Sequence, residues 1–461
     1  MRLVRDQEFY KNIFRISLPA AFSSLVSFLV VVADDIMVSR SGGGATAQAA
    51  VSQINALTAF YTATLLGLVS GSSVLISQYW GKKDMKRIQR IFSLVFLISL
   101  FAACLFVAAA KLFPEPIVHL VMKESNGEAV RLALSYFSVV CFSYLPYAVS
   151  QSLSGMLRSV EVVRVTLYVS IVSLFINIGL NAAFIFGVPA LGIPEMGVKG
   201  AALATLITRL IEMVIVCVYT FRVQKVIKIR PLDLFKLDRS LSRDYARYGL
   251  PVGFTDMQWS LIGMLKAAII GQLATGFIAA NSIANSMMNL GTMFTFALAG
   301  GACVMVGKVV GRGDYETARS YSETIQVMFA LIGIVMALAV FAVRGPFTRL
   351  YGSAEDPEVY SLSTTMIAIG AATLLGTSYH ASCFIGINRG AGDSRFVAAV
   401  DSVCGWVVVL PAMLIAVRLN WPLPVVFLMT RIDQCFKWII ALFRLRGNRW
   451  IKNVTRGEKA A

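Results

Sequence analysis

The chain has 461 residues, of which 57% are hydrophobic and 15% charged, with a mean hydropathy of +0.72 and a formal charge of +17. A soluble chain of this length carries about a quarter of its residues as charges, so most soluble classes are excluded. With about 20 apolar residues needed per crossing, the hydrophobic content is enough for about a dozen helical spans, and a polytopic membrane protein is expected.

In chain order, long apolar runs predict spans at roughly 14–38, 47–79, 91–113, 132–153, 165–187, 198–221, 246–272, 279–308, 324–343, 359–386, 396–417 and 423–443. Helices are the expected form, because lipid cannot satisfy open backbone groups, and weak period-2 alternation argues against a barrel. The first run extends past a normal signal core without a convincing cleavage site before Asp34, so it is read as an uncleaved first helix.

The basic excess has two readings, a polyanion-binding face or insertion topology, and position along the chain decides between them. Thirty of the 42 Lys and Arg fall in the N-terminus, the tail and alternate loops, chiefly 82–90 and 222–247. Only eight lie in the intervening loops, and Arg209, Lys266, Arg431 and Lys437 lie inside spans. Both termini are therefore expected in the cytoplasm of a multi-pass plasma membrane protein, with membrane lipid rather than nucleic acid as the basic residues' partner. All seven Cys fall inside spans, where they act as small apolar residues, and no disulfide framework, metal spacing or cofactor motif is read.

The chain repeats itself at about 231 residues. Leu18-Pro19 recurs as Leu250-Pro251, Gly81-Lys82-Lys83-Asp84 as Gly311-Arg312-Gly313-Asp314, Gly155-Met-Leu-Arg158 as Gly386-Ile-Asn-Arg389, and Asn55 as Asn285. Six spans per copy is an even number, so both copies enter the membrane from one side and are related by an axis along its normal. The expected fold is an all-α integral membrane protein of twelve transmembrane helices in two six-helix bundles related by a pseudo-two-fold. The domains are an N-terminal lobe, 1–223, a cytoplasmic linker, 224–244, and a C-terminal lobe with basic tail, 245–461. Two such bundles can rock about a site between them, which favours a carrier over a pore. An enzyme would need a clustered acidic metal motif or a nucleophile with its base, and Asp34-Asp35, the only acidic pair within a span, has no partner motif.

Several segments carry a family resemblance: Leu18-Pro19 leading to Ala33-Asp34-Asp35-Ile-Met-Val38, Ile76-Ser-Gln-Tyr-Trp-Gly-Lys-Lys-Asp84, Asn177-Ile-Gly-Leu-Asn181, Gly197-Val-Lys-Gly-Ala-Ala-Leu-Ala-Thr205 and Arg389-Gly-Ala-Gly-Asp393. In this order, on a duplicated plan, the chain resembles a bacterial multidrug and toxic compound extrusion (MATE) transporter. The resemblance implies antiport of a cation, a proton in preference to sodium, against amphipathic or cationic organic molecules, by a monomer in the bacterial inner membrane. It also places Asp34 as the coupling carboxylate, with Asn177, Asn181 and Thr205 around it. The sequence departs from relatives that carry an aspartate at the position of Asn181, and from those with an acidic residue in the tenth span.

The residues themselves leave alternatives open. Asp34 and Asp35 point about 100° apart on a helix, so one faces the bundle, or both lie at the outer interface. Burial and a like-charged neighbour favour the protonated form of a carboxylate, which suits reversible proton uptake. Asn177 and Asn181 share a face at i, i+4, which serves equally for interhelical amide bonding. Fifteen residues separate Pro19 from Asp34 and Pro251 from Lys266, so Lys266 is the repeat equivalent of Asp34 and a candidate for coupling or gating, or a snorkelling lysine. Asp256, shallow in the seventh span, is a second gating candidate or an interfacial carboxylate. Asn281, Asn285 and Asn289 form a stripe that, with Met288 and with Gln53 and Asn55 at the related place in the second span, is read as a substrate cavity or as helix packing. Arg209 and Glu212 are expected to neutralise each other, and His380 to be a core histidine before a relay. Gly81 to Asp84 and Gly311 to Asp314 are read as helix stops rather than phosphate loops. A flippase for a lipid-linked anionic precursor is the alternative function, with modest support from Lys266 and Arg209.

Overall fold

A computed structural model describes residues 3–41, 44–122, 127–227, 234–350, 356–447 and 449–456. Residues 228–233 of the expected linker, and Arg2, Lys123 and Lys459 among the counted basic residues, lie outside these ranges. The first copy comprises α1 (Gln7–Ser39), α2 (Gly44–Gly81), α3 (Met85–Leu112), α4 (Pro114–His119), α5 (Gly127–Val140), α6 (Tyr144–Ser159), α7 (Arg164–Ile185) and α8 (Gly197–Val218). A short helix α9 (Arg239–Tyr248) precedes the second, which comprises α10 (Leu250–Ile270), α11 (Thr275–Arg312), α12 (Tyr315–Leu350), α13 (Pro357–Ala381), α14 (Ser394–Ser402), α15 (Leu410–Arg418), α16 (Leu423–Met429) and α17 (Asp433–Arg446).

Among the described residues, ten helical stretches are long and apolar enough to cross a membrane by length and composition. They include α5 with α6, which run on through one 3₁₀ turn at Cys141–Ser143, and α14 with α15, joined by a π-helical stretch at Val403–Val409. Helix α10, made more polar by Asp256, Gln258 and Lys266, and the pair α16 and α17 complete the twelve of an all-α membrane fold. Several helices extend beyond the expected spans, the ninth most, as Tyr315–Leu350 against 324–343, and two differences have a local cause. The seventh span begins at Leu250, because Gly249-Leu250-Pro251 starts a new helix after the polar α9; proline lacks the N–H that an interior position needs but is tolerated in a first turn. The twelfth is two helices, broken at Thr430–Ile432.

Burial is reversed relative to a soluble helix. On α7, Tyr168, Phe175 and Ile178 are exposed, whereas Asn177 and Asn181 are 2% and 0% exposed. Apolar side chains outward and amides inward is the pattern that a lipid surround selects.

The chain forms two compact units, one of residues 1–21, 73–84 and 244–461, the other of 22–72 and 85–243. The second of these has a core of Tyr61, Tyr136, Tyr144, Ile185 and Val198 with small alanines between them.

In the first unit, α2 and α11 cross at glycines. A Cβ on Gly81 would overlap the Lys308 carbonyl, and a Cβ on Gly311 would overlap the Gln78 carbonyl. Gly311 is the repeat partner of Gly81 and Lys308 that of Gln78, so the contact is made twice, once from each copy. The helix-stop reading of these loops moves two residues along: the left-handed residue is Gly313 (φ +84°) in one copy and Lys83 (φ +58°) in the other. Glycine at 81 and 311 serves close approach instead.

The end of the chain is threaded into the same unit. Gln78 Oε1 accepts from the Val454 amide (2.9 Å), and its Nε2 donates to the carbonyls of Gly390 (3.0 Å) and Lys452 (3.2 Å). Asp393, fully buried, receives Arg444 (2.8 Å) and Lys452. Arg456 grips Asp244 with two nitrogens, and Trp450 is 2% exposed.

Candidate functional site

Helix α7 sets the geometry of the first site. With 3.6 residues per turn, Asn177 and Asn181 stand one above the other on its inward face. Asn181 Nδ2 donates to Asn177 Oδ1 (3.1 Å) and also to Asp34 Oδ1, five residues before the end of α1. Asp35 and Arg209 lie close enough to act electrostatically on Asp34. Asn181 Oδ1 is buried and, among the described residues, meets no donor. An acceptor left open beside a carboxylate fits a site that takes up a positively charged or protonated species.

The sequence reading missed Tyr136 of α5. Its hydroxyl donates to Asn55 Oδ1 (3.3 Å), pairs with Thr205 of α8 and lies within the field of Asp34 and Asp35. The available signal was a tyrosine inside a span, since a buried phenol requires a partner. Thr205 also donates to the Ala201 carbonyl (3.0 Å). The structure thus brings Asp34, Asn177, Asn181 and Thr205 into one cluster and adds Tyr136. It brings in Asn55 as well, which had been grouped with a substrate cavity.

An aromatic wall continues from this cluster. Tyr61 stacks on Tyr144 (4.3 Å between centroids) and donates to its carbonyl (2.6 Å). Arg209 sits over the Tyr147 ring (4.6 Å) and pairs with Glu212 at 2.7 Å, as the i, i+3 spacing predicted.

The remaining candidates lie elsewhere. Gln53, Asn285 and Asn289 are exposed and Asn281 is half-buried, so the stripe on α11 is open along most of its length. Met288, expected beside that stripe, is 2% exposed and packs on Gly370, where a Cβ would strike its sulfur, whereas Asn289 is exposed. The physical reason is angular, since Met288 and Asn289 point about 100° apart. Asp256 is paired with the buried Arg389 at 2.9 Å. His380 hydrogen-bonds the Gly376 carbonyl through Nδ1 (2.9 Å), as a core histidine does.

Lys266 of α10 donates to the Thr430 carbonyl at the break between α16 and α17 (3.4 Å). Beside it Lys437, 2% exposed, pairs with Asp401 (2.7 Å) and Asp433 (3.2 Å) and lies over the Trp259 ring (4.6 Å). The charges that act on Lys266 are Asp433, Arg431 and Lys437. Asp433 and Lys437 at i, i+4 were the sequence signal for this network. Among the described residues no three His, Cys, Asp or Glu side chains converge as metal ligands.

Comparison with known proteins closes the assignment. The chain is 25% identical over 400 residues to a probable multidrug resistance protein NorM of Bradyrhizobium diazoefficiens, covering 86% of this chain and 84% of that one. It is 23% identical over 427 residues to an uncharacterised transporter, YisQ, of Bacillus subtilis, with 91% and 90% covered. Among solved structures, a MATE protein in a bent conformation superposes with a TM-score of 0.83 at 20% identity, covering 95% of this chain and 94% of that one. A MOP superfamily transporter from Pyrococcus furiosus, described as having a binding pocket of reversed polarity, superposes at 0.85, also at 20% identity, with 97% of each covered. The MatE family model matches twice, at residues 19–183 and 251–415, in register with the internal repeat. With both copies matched over most of the sequence, the chain belongs to the MATE family of transporters.

Proposed function

We propose that this protein is a secondary active multidrug efflux transporter, which exchanges a cation for amphipathic organic compounds by alternating access between the lobes 1–223 and 245–461. It is placed in the bacterial inner membrane with both termini and the 224–244 linker in the cytoplasm, on the strength of the basic-residue distribution. The relatives named as multidrug resistance proteins support organic substrates.

The observation that carries the reading is the contact of Asp34 with Asn181 and, through it, Asn177. In the ionised state the carboxylate holds the amide of Asn181. A proton arriving at Asp34 cancels the charge that orders this contact and frees α1 from α7. Release of the proton restores it. Asp34 is the carboxylate that touches these amides, and one such group is sufficient for a proton to act in this way, which is why the proton is preferred to sodium as coupling ion.

The test is dye efflux from proteoliposomes, driven separately by a proton and a sodium gradient. A proton gradient alone should drive efflux, and Asp34→Asn should reduce it to the undriven rate. Normal gradient-driven efflux by Asp34→Asn, or efflux driven by sodium alone, defeats the reading.

A further inference from the structure

We infer that Lys266 and Arg431 form an oxyanion-recognition site, which takes the carboxylate or phosphate of an amphipathic molecule. The inference rests on a charge imbalance. Three cations, Lys266, Arg431 and Lys437, meet around the break between α16 and α17, and two carboxylates, Asp401 and Asp433, meet them there. Both carboxylates are spent on Lys437, and Asp433 also accepts from Gln434 (2.8 Å). Among the described residues neither Lys266 nor Arg431 has an ion-pair partner. Lys266 Nζ reaches only the Thr430 carbonyl at 3.4 Å, and Arg431 Nε donates to Thr373 Oγ1 at 3.0 Å. One of three ammonium donors and one of five guanidinium donors are thus engaged.

A charge held within a bilayer span without a counter-ion is costly, and such residues mark ligand sites. These two are also reachable. Lys437 is sealed at 2% exposed, whereas Lys266 and Arg431 are only partly covered. They flank a broken helix, the element that places polar backbone and the positive end of a half-helix toward anionic groups in membrane carriers. Exposed apolar side chains on the same helices, Leu261 and Leu265 on α10 and Trp438 and Ile439 on α17, offer a surface for the rest of an amphipathic ligand. The oxyanion's source is either the carboxylate of an organic substrate or the headgroup of an anionic lipid.

Equilibrium binding to the purified protein in phosphatidylcholine nanodiscs, followed by fluorescence polarisation, tests this without any ion gradient. The probes are a rhodamine with a free benzoate and its methyl ester, which differ in that charge and one methyl group. The acid should bind more tightly than the ester. Lys266→Gln and Arg431→Gln should each weaken the acid roughly tenfold, as expected on losing a charge-assisted hydrogen bond, and change the ester by no more than about twofold. Lys266→Arg and Arg431→Lys should keep the preference and serve as folded, charge-retaining controls. In discs containing phosphatidylglycerol, competition with the acid that is lost in the Gln variants assigns the site to a lipid headgroup; lack of competition assigns it to the organic carboxylate. Equal binding of acid and ester to the unaltered protein in phosphatidylcholine, or equal loss of both probes in the Gln variants, overturns the proposal. Because no transport is measured, failure of gradient-driven efflux leaves this result intact, and the two readings fail separately.

Discussion

Asn181 holds the carboxylate of Asp34 across 147 residues of sequence and is itself steadied by Asn177 one turn away. Removing that donor tests whether the contact couples or merely glues. Asn181→Ala should lower proton-driven efflux by about tenfold or more, consistent with a lost hydrogen bond to a charged group. It should also move the pH midpoint of efflux upward, because a donor that favours the ionised carboxylate is gone. A packing role would lower the rate at every pH alike. Efflux measured between pH 5.5 and 8.5 separates the two outcomes.

Tyr136 ties Asn55 and Thr205 to the same cluster. Tyr136→Phe keeps the ring and deletes the hydroxyl, so thermal stability in detergent should fall by only about 1 kcal/mol. Efflux should fall several-fold in Tyr136→Phe and recover little in Asn55→Asp/Tyr136→Phe. Unchanged efflux in the single variant would remove Tyr136 from the site.

Among the described residues, Lys437 is the one cation ion-paired to both Asp401 and Asp433. Lys437→Met strands two carboxylates in the interior and should cost about 3 to 5 kcal/mol of stability, the range for breaking a buried pair from one side. Lys437→Met combined with Asp401→Asn and Asp433→Asn should recover much of it. Melting of the detergent-solubilised protein checks both, with the largest drop expected for the single substitution.

The tail supplies one of the two cations on Asp393 and both amide contacts of Gln78 apart from Gly390. Ending the chain at Gly447 should therefore destabilise the protein by about 2 kcal/mol or more, since buried polar groups lose their partners. Adding Gln78→Leu to the shortened chain should restore part of the loss. A shortened chain that melts like the full one would show the strap to be dispensable.

Hydropathy and repeat made the twelve-helix plan legible, because bilayer thickness sets the length of each apolar run and the repeat is written in the sequence itself, neither depending on tertiary detail. Asp34, Asn177, Asn181 and Thr205 were legible through family motifs and helical spacing. Tyr136 was not, since nothing in the sequence states which face of α5 meets α1, α2 and α8. The choice between cavity and packing at Met288 was not legible for a related reason: a run of Asn and Met around residue 288 does not say where the packed face ends. The break between α16 and α17 was hidden by an apolar run broken only by polar residues that hydropathy averages over.

The glycine crossing of α2 and α11 limits where the two copies can differ. Because Gly81 rests on Lys308 and Gly311 on Gln78, the contact is the one that two identical single-copy chains would make at a dimer axis. Elsewhere the two copies differ, so that a carboxylate and an ammonium stand at equivalent places, Asp34 and Lys266. The crossing has no such freedom, since each glycine is confined by its counterpart's backbone and any added carbon would prise the helices apart. The relation between the two copies is in this way written into the backbone itself at two positions, Gly81 and Gly311, where neither helix leaves room for a side chain.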